Sequence, residues 1–301
     1  MDALAPIPQA AGQATLGEVI AEARRMLEQA GIDSAGQEAF WIVEHVLRLP
    51  AHHVIADRDR LLSHDELLAA RGLVERRVRR EPLQYILGTQ EFCGLEFDVN
   101  PAVLIPRPET ELLVEYVAQR IPAERQATIV DVCTGSGCIA VAIARLRPHA
   151  RVLATDLSNR SLDVARQNAT RHAVCERITW LEGDLLGPLA KQGLEGRTDV
   201  IVSNPPYIAE ADWAMLQPEV RLFEPQGALV AGPQGTELHE RLLREAGRYL
   251  SSGGALIMEI GAGQAHTVRR ILDRIPGYRF HRLVYDAAGL ERVVIVERVG
   301  T

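Results

Sequence analysis

Asn204-Pro205-Pro206-Tyr207 follows the apolar run 200–203 and must turn the chain abruptly. Two consecutive prolines each fix φ near about −65° and remove two backbone donors, so the turn is stiff and presents acceptors. The side-chain oxygen of Asn204 and the carbonyl of Pro205 can face the same way, toward a planar group carrying two N–H bonds. The ring of Tyr207 offers a surface on which that group can stack. A primary amide or an exocyclic amine has this shape. A rigid turn that merely caps a strand is the plainer alternative, and the segments upstream weigh against it.

Residues 131–140, Asp-Val-Cys-Thr-Gly-Ser-Gly-Cys-Ile-Ala, read as a strand end, a glycine turn and a helix start. Gly135 and Gly137 let backbone approach a ligand closely, and the helix beginning near Cys138 points its free N–H groups at the same place. Asp156 ends the next strand, where a carboxylate can accept both hydroxyls of a ribose. Asp184, after the third strand, is positioned to meet an adenine amine. A nucleoside ligand at the carboxyl edge of a sheet is implied. The spacing Gly135-x-Gly137-x-x-Ala140 with a later acid also fits a dinucleotide fold, so it does not choose between NAD and S-adenosylmethionine. The fourth strand chooses, because a clamp for an N–H₂ group suits methyl transfer to nitrogen.

The elements that must position these residues follow from periodicity. Residues 1 to about 13 read as a loose tail. Thr15 with Glu18, Ser34 with Gln37 and Ser63 with Glu66 each have the spacing of a capping box before an amphipathic helical run, which predicts a small helical bundle. Its last helix carries Arg71, Arg76, Arg77, Arg79 and Arg80 before Pro82. A solvated face is favoured for this run over an acidic or RNA partner. Apolar residues around Gly94 predict a hairpin, and Pro101, Pro106 and Pro108 an extended connector. Strands are then expected at 129–132, 152–155, 178–181, 200–203, 255–260, 278–284 and 292–296, with helices in most gaps. The first five should be parallel and the last two an antiparallel pair at one edge.

With 47% hydrophobic and 24% charged residues, the 301-residue chain has the composition of a globular protein with room for two domains. No apolar run is long enough to span a membrane, and the N-terminus lacks a signal peptide's pattern, so a cytoplasmic protein is expected. Four cysteines without C-x-x-C spacing indicate neither zinc nor a disulfide framework. A net charge of −7 argues against a partner held through phosphates, so no nucleic-acid substrate is expected.

Together with Tyr85-Ile86-Leu87-Gly88, the run Leu104-Ile105-Pro106-Arg107-Pro108-Glu109-Thr110-Glu111, Asn168-Ala169, Glu224-Pro225 and Gly289-Leu290-Glu291-Arg292-Val293-Val294, these motifs resemble the HemK/PrmC family. Its members are glutamine-N5 methyltransferases that modify the Gly-Gly-Gln loop of peptide chain release factors. The resemblance implies a Rossmann-like class I S-adenosylmethionine-dependent methyltransferase with a seven-stranded, mostly parallel sheet, preceded by a small helical bundle and a hairpin linker. The expected divisions are a substrate-recognition domain at 1–84, a linker at 85–105 and a methyltransferase domain at 106–301. The catalytic candidates are Asn204, Pro205, Pro206 and Tyr207. The candidates for holding S-adenosylmethionine, and its product S-adenosylhomocysteine, are Cys133, Thr134, Gly135, Ser136, Gly137, Asp156, Asp184, Leu185 and Asn204, with no metal. Cys133 stands where the family usually has glycine, and Leu185 where an aromatic often follows the acid. Cys-Thr-Gly-Ser-Gly-Cys also resembles sister enzymes that methylate a ribosomal-protein glutamine, whereas Pro106 to Thr110 resembles the release-factor branch. An adenine-N6 nucleic-acid methyltransferase and a non-catalytic nucleoside-binding module are the remaining alternatives, and a monomer acting on release factors is expected.

Overall fold

The computed structural model describes residues 14–300, and its contacts divide the chain into two compact units between Leu87 and Gly88. The first unit is helical, with α1 (Leu16–Gln29), α2 (Ala35–Leu47), α3 (Ala51–Ala56), α4 (His64–Val78) and α5 (Leu83–Leu87). The expected loose tail lies outside the described residues. Thr15 and Ser63 form the capping boxes expected of them, each side chain accepting from the backbone three residues on while that glutamate reaches back. Ser34 does not. Its hydroxyl donates instead to Glu38 at 2.7 Å, because Glu38 is buried and held by Arg77 at 2.5 Å. Elsewhere in the arginine run, Arg71 pairs with Glu75 at the surface and Arg76 with Glu81, and Arg80 donates to the carbonyls of Ala30 and Gly31. The burial of Arg77 departs from the solvated face expected of this run.

The second unit opens with the hairpin β1 (Thr89–Phe92) and β2 (Leu95–Asp98). Cys93 and Gly94 make its turn with φ of 52° and 72°, the two left-handed residues that a tight hairpin needs to match strand twist. Phe92 and Phe97 are fully buried and meet edge to face at 6.0 Å. Then follow α6 (Glu111–Arg120), β3 (Thr128–Val132), α7 (Cys138–Leu146), β4 (Arg151–Asp156), α8 (Asn159–Arg171), β5 (Ile178–Glu182) and β6 (Thr198–Ser203). After the Pro-Pro turn come β7 (Ile208–Ala209), α9 (Pro218–Phe223), β8 (Val230–Gly232), α10 (Glu237–Tyr249), β9 (Leu250–Glu259), α11 (Ala265–Leu272), β10 (Tyr278–Tyr285) and β11 (Glu291–Arg298).

The main sheet has seven strands in the order β10-β11-β9-β6-β3-β4-β5. β3, β4, β5, β6 and β9 run parallel, while β11 lies antiparallel to both β9 and β10. This is a doubly wound sheet with an antiparallel edge pair. Residues alternate between its faces as strand geometry requires. Ile129, Val200, Val202 and Ile257 pack with α6, α7 and α8, whereas Val130, Val132, Ile201 and Met258 pack with α10 and α11. Thr155, Val132, Ser203 and Met258 stand abreast on one rung. Asp156, Cys133, Asn204 and Glu259 are therefore each the first residue past it.

Two arginines of one helix should behave differently when their partners are cut. Glu38→Ala strands a buried guanidinium and is expected to cost about 3 kcal/mol, whereas Glu75→Ala removes a surface partner of Arg71 and should cost less than about 1 kcal/mol. Urea unfolding of the two variants distinguishes them, and equal losses would refute the assignment of Arg77 to the interior.

Candidate active site

β3 delivers the glycine loop. Cys133, Gly135 and Gly137 alternate in left-handed conformation, with φ of 60°, 55° and 80°. Glycine is demanded at 137, where a Cβ would come within 2.9 Å of the Ala165 methyl on α8, whereas at 135 the left-handed conformation only favours it and the space beside it is open. Asp131, fully buried, braces the loop from beneath by accepting from the Thr134 hydroxyl at 2.6 Å and the Ala140 N–H at 3.1 Å. Asn168, equally buried, holds it from the side. Its amide donates to the Ser136 and Asp98 carbonyls while its oxygen accepts from the Asp98 N–H.

Asp156, half-buried at the end of β4, accepts from the backbone N–H of Gly135 on one oxygen and of Ser158 on the other, both at 2.9 Å. Burial raises its pKa, but each oxygen keeps a lone pair for a further donor. The glycine loop, the start of α7 and this carboxylate form a cradle that suits a nucleoside carrying a diol. Thr134 and Ser136 are buried. The Cys133 thiol is kept protonated by burial and by the negative charge of Asp156.

The third strand's candidates are arranged differently. Asp184 is exposed and its carboxylate faces Arg241 of α10 at 2.7 Å. Leu185, at φ 45°, packs into the core on the α10 side, 5% exposed, so it is not a wall of an open pocket; its carbonyl accepts from the Thr155 hydroxyl. A cleft of about 860 Å³ lies between the 187–191 turn and α10. Asp184 lines it, but no residue of the glycine loop or the Pro-Pro turn does.

β6 delivers the clamp. Pro205 and Pro206 are buried and Asn204 is partly so. The turn is pinned where Tyr207 and Ile208 both donate to the Leu229 carbonyl, at 3.1 and 2.8 Å, where β7 pairs with β8, and where Gln264 donates to the Tyr207 carbonyl. Asn204 donates through Nδ2 to the Thr110 hydroxyl at 3.1 Å. Among the described residues no donor reaches its Oδ1 or the Pro205 carbonyl. The Tyr207 hydroxyl donates to Glu259 at 3.1 Å, and burial together with that carboxylate pushes the phenol's pKa up.

Glu259 is the residue that sequence reasoning missed. A lone acid within the apolar strand expected at 255–260 was the available signal, and its place near the strand end gave no reason to expect burial. It is 1% exposed, accepts from Thr110 at 2.7 Å and from Tyr207, and its pKa is pushed up to about 7 by burial. Glu224 is likewise buried, accepting from the Ile105 N–H and pairing with Arg107. It ties the 104–110 segment to the end of α9. The arrangement can bind a nucleoside on one side and, on the other, hold an N–H₂ group by two fixed acceptors.

Burial also pushes the pKa of Asp131 up to about 7. The folded state thus holds a proton more tightly than the unfolded chain. This residue favours folding fully below the ordinary carboxylate range near about pH 4, and the contribution is lost as pH rises through about 7. Asp131→Asn should therefore raise the melting temperature relative to wild type more at about pH 8.5 than at about pH 6. A difference independent of pH would refute a charge buried at this position.

The PrmC N-terminal domain model matches residues 18–88, and the Methyltransferase small domain model matches residues 108–234. The Release factor glutamine methyltransferase of Geobacter sulfurreducens is 44% identical over 280 residues, covering 93% of this chain and 95% of that protein. The Chlorobaculum tepidum protein of the same name is 44% identical over 246 residues, 80% of this chain and 83% of its own. A methyltransferase structure from Pyrococcus furiosus superposes with a TM-score of 0.53 at 18% identity, over 75% of this chain and 99% of that one, which concerns the fold alone. With a helical unit and an α/β unit each matched, and relatives aligned across nearly the whole length, the chain belongs to the release factor glutamine methyltransferase family.

Proposed function

We propose that the chain transfers a methyl group from S-adenosylmethionine to the side-chain amide nitrogen, N5, of the glutamine in the Gly-Gly-Gln motif of peptide chain release factors. The observation that carries this reading is the clamp: Asn204 Oδ1 and the Pro205 carbonyl belong to one rigid turn, and neither has a donor among the described residues. Relatives named for this activity align over nearly the whole chain. The glycine-loop resemblance to the ribosomal-protein enzymes is outweighed by the Pro106 to Thr110 segment and by relatives named for release factors, and the net charge of −7 opposes an adenine-N6 nucleic-acid substrate, although an exocyclic amine would fit the same clamp. No described helix is long and apolar enough to cross a membrane, and a substrate among translation factors supports the cytoplasmic reading.

The cradle fits the cofactor by the chemistry of its donor set. Gly135 and Gly137 expose backbone, the start of α7 presents N–H groups, and Asp156 offers carboxylate lone pairs to a ribose diol. When bound there, S-adenosylmethionine supplies an electrophilic sulfonium methyl. The chain must supply position. An amide nitrogen is a poor nucleophile because its lone pair is delocalised, so holding it in an attacking orientation matters more than activating it. Asn204 Oδ1 and the Pro205 carbonyl accept its two hydrogens and fix its plane, and both oxygens stabilise positive charge as it develops on nitrogen. Held by these two acceptors, the nitrogen would take the methyl as its bond to sulfur breaks, with S-adenosylhomocysteine as the other product, and would then give one proton to water.

Asn204→Ala is expected to lower the single-turnover rate on a Gly-Gly-Gln-containing release factor by on the order of a hundredfold, with a much smaller effect on cofactor affinity. Recovery of the whole loss by saturating cofactor would contradict an orienting role. Asp156→Ala, in contrast, should weaken S-adenosylmethionine binding about a hundredfold or more in titration calorimetry, as charge-assisted hydrogen bonds are lost. An unchanged affinity in the folded variant would remove Asp156 from the site.

A further inference from the structure

Building on that reading, we infer that Thr110 and Glu259 are positioning residues that decide which end of the Asn204 amide faces the substrate. The two ends of an asparagine amide have the same shape and opposite hydrogen-bonding character, so a clamp made of acceptors works in one orientation only. Rotation by half a turn would aim N–H₂ at N–H₂. Something must forbid it.

The chain of donors forbids it. Thr110 has a single hydroxyl proton, and Glu259 Oε2 takes it at 2.7 Å. The hydroxyl oxygen can then only accept toward Asn204, which must offer Nδ2, as it does at 3.1 Å. Oδ1 is thereby left for the incoming amide. The second carboxylate oxygen is engaged by the Tyr207 hydroxyl, so Glu259 sets both side chains of the clamp from one buried point. His239 of α10 fixes the backbone beneath it, donating from Nε2 to the Glu259 carbonyl at 2.8 Å.

The logic requires Glu259 to be ionised, since a protonated carboxyl can donate to Thr110 and release the hydroxyl proton toward Asn204 Oδ1. Burial raises its pKa to about 7, as does the charge of Glu109, while the Thr110 and Tyr207 hydrogen bonds and the charge of Arg292 oppose that rise. Arg292 is itself paired with Asp286 at 2.8 Å. The rate of methyl transfer should therefore rise with pH through a step near 7 and level off above it.

The test is a double-mutant cycle in single turnover on the full-length enzyme with a Gly-Gly-Gln-containing release factor. Thr110→Val keeps the shape and removes the hydroxyl, and should slow the step about thirtyfold while leaving cofactor affinity and KM for the factor within about threefold. Thr110→Ser should recover most of that loss. In an Asn204→Ala background Thr110→Val should add less than about threefold, because no amide remains to be oriented. Should Thr110→Val slow both backgrounds equally, or should it leave the rate unchanged while Asn204→Ala is slow, this inference is wrong and the proposed function stands. A fast Asn204→Ala enzyme would instead overturn the clamp on which it rests. If Thr110→Val fails to fold, the wild-type profile decides: a flat single-turnover rate from about pH 5.5 to 8.5 overturns the inference, and a step near neutrality that vanishes in Asn204→Ala supports it.

Discussion

Parallel register governs this molecule. Because Thr155, Val132, Ser203 and Met258 share a rung, the residues that follow them leave the sheet at one level, and the Asp156 carboxylate, the glycine loop, the Pro-Pro turn and the buried Glu259 converge without any loop having to reach. The hydroxyl of Ser203 donates to the Val132 carbonyl at 2.7 Å, which ties clamp and glycine loop at their roots. A slip of one residue between any two of these strands would exchange faces for the whole strand, moving Ile129 and Val130, or Ile201 and Val202, out of the cores in which each is packed. The hydrophobic effect, acting through the sheet's two cores, is thus what sets the geometry of the polar site.

The polar interior is costly in a directed way. Asp131 and Glu259 are buried carboxyls with raised pKa values, and one oxygen of Asp131 has no partner among the described residues. Buried groups of this kind reduce stability unless hydrogen bonds repay them. One lies under the glycine loop and one beside the Pro-Pro turn, and each fixes at least two neighbours. The opposite strategy holds in the helical unit, where the buried Glu38 is neutralised outright by Arg77.

Much of this was legible in the sequence, and what was not shares a cause. The Pro-Pro turn, the glycine spacing, the hairpin around Gly94 and two capping boxes are local patterns, and local patterns survive folding when nothing distant competes. Ser34 shows the competition: its capping geometry is lost because Glu38, drawn to Arg77, recruits its hydroxyl. Thr110, Glu224 and Glu259 belong to networks that join residues far apart in sequence, so no window of sequence contains their roles. The short pairing of β7 with β8 was equally invisible, since two residues of strand carry no period.

Asn168 has a bearing on how the catalytic half can be excised. Its amide serves as a splice between the second strand of the hairpin and the glycine loop, and Phe92 and Phe97 sit in the same core as α7. The hairpin is thus a structural keystone of the methyltransferase half. A minimal fragment has to begin at Gly88, whereas one begun at residue 106 would leave Asn168 with buried, unmatched groups costing about 1–3 kcal/mol each and a hole where two phenyl rings had been. The smallest portable methyltransferase is defined by that one amide, and it is longer than the seven-stranded α/β layer by a hairpin.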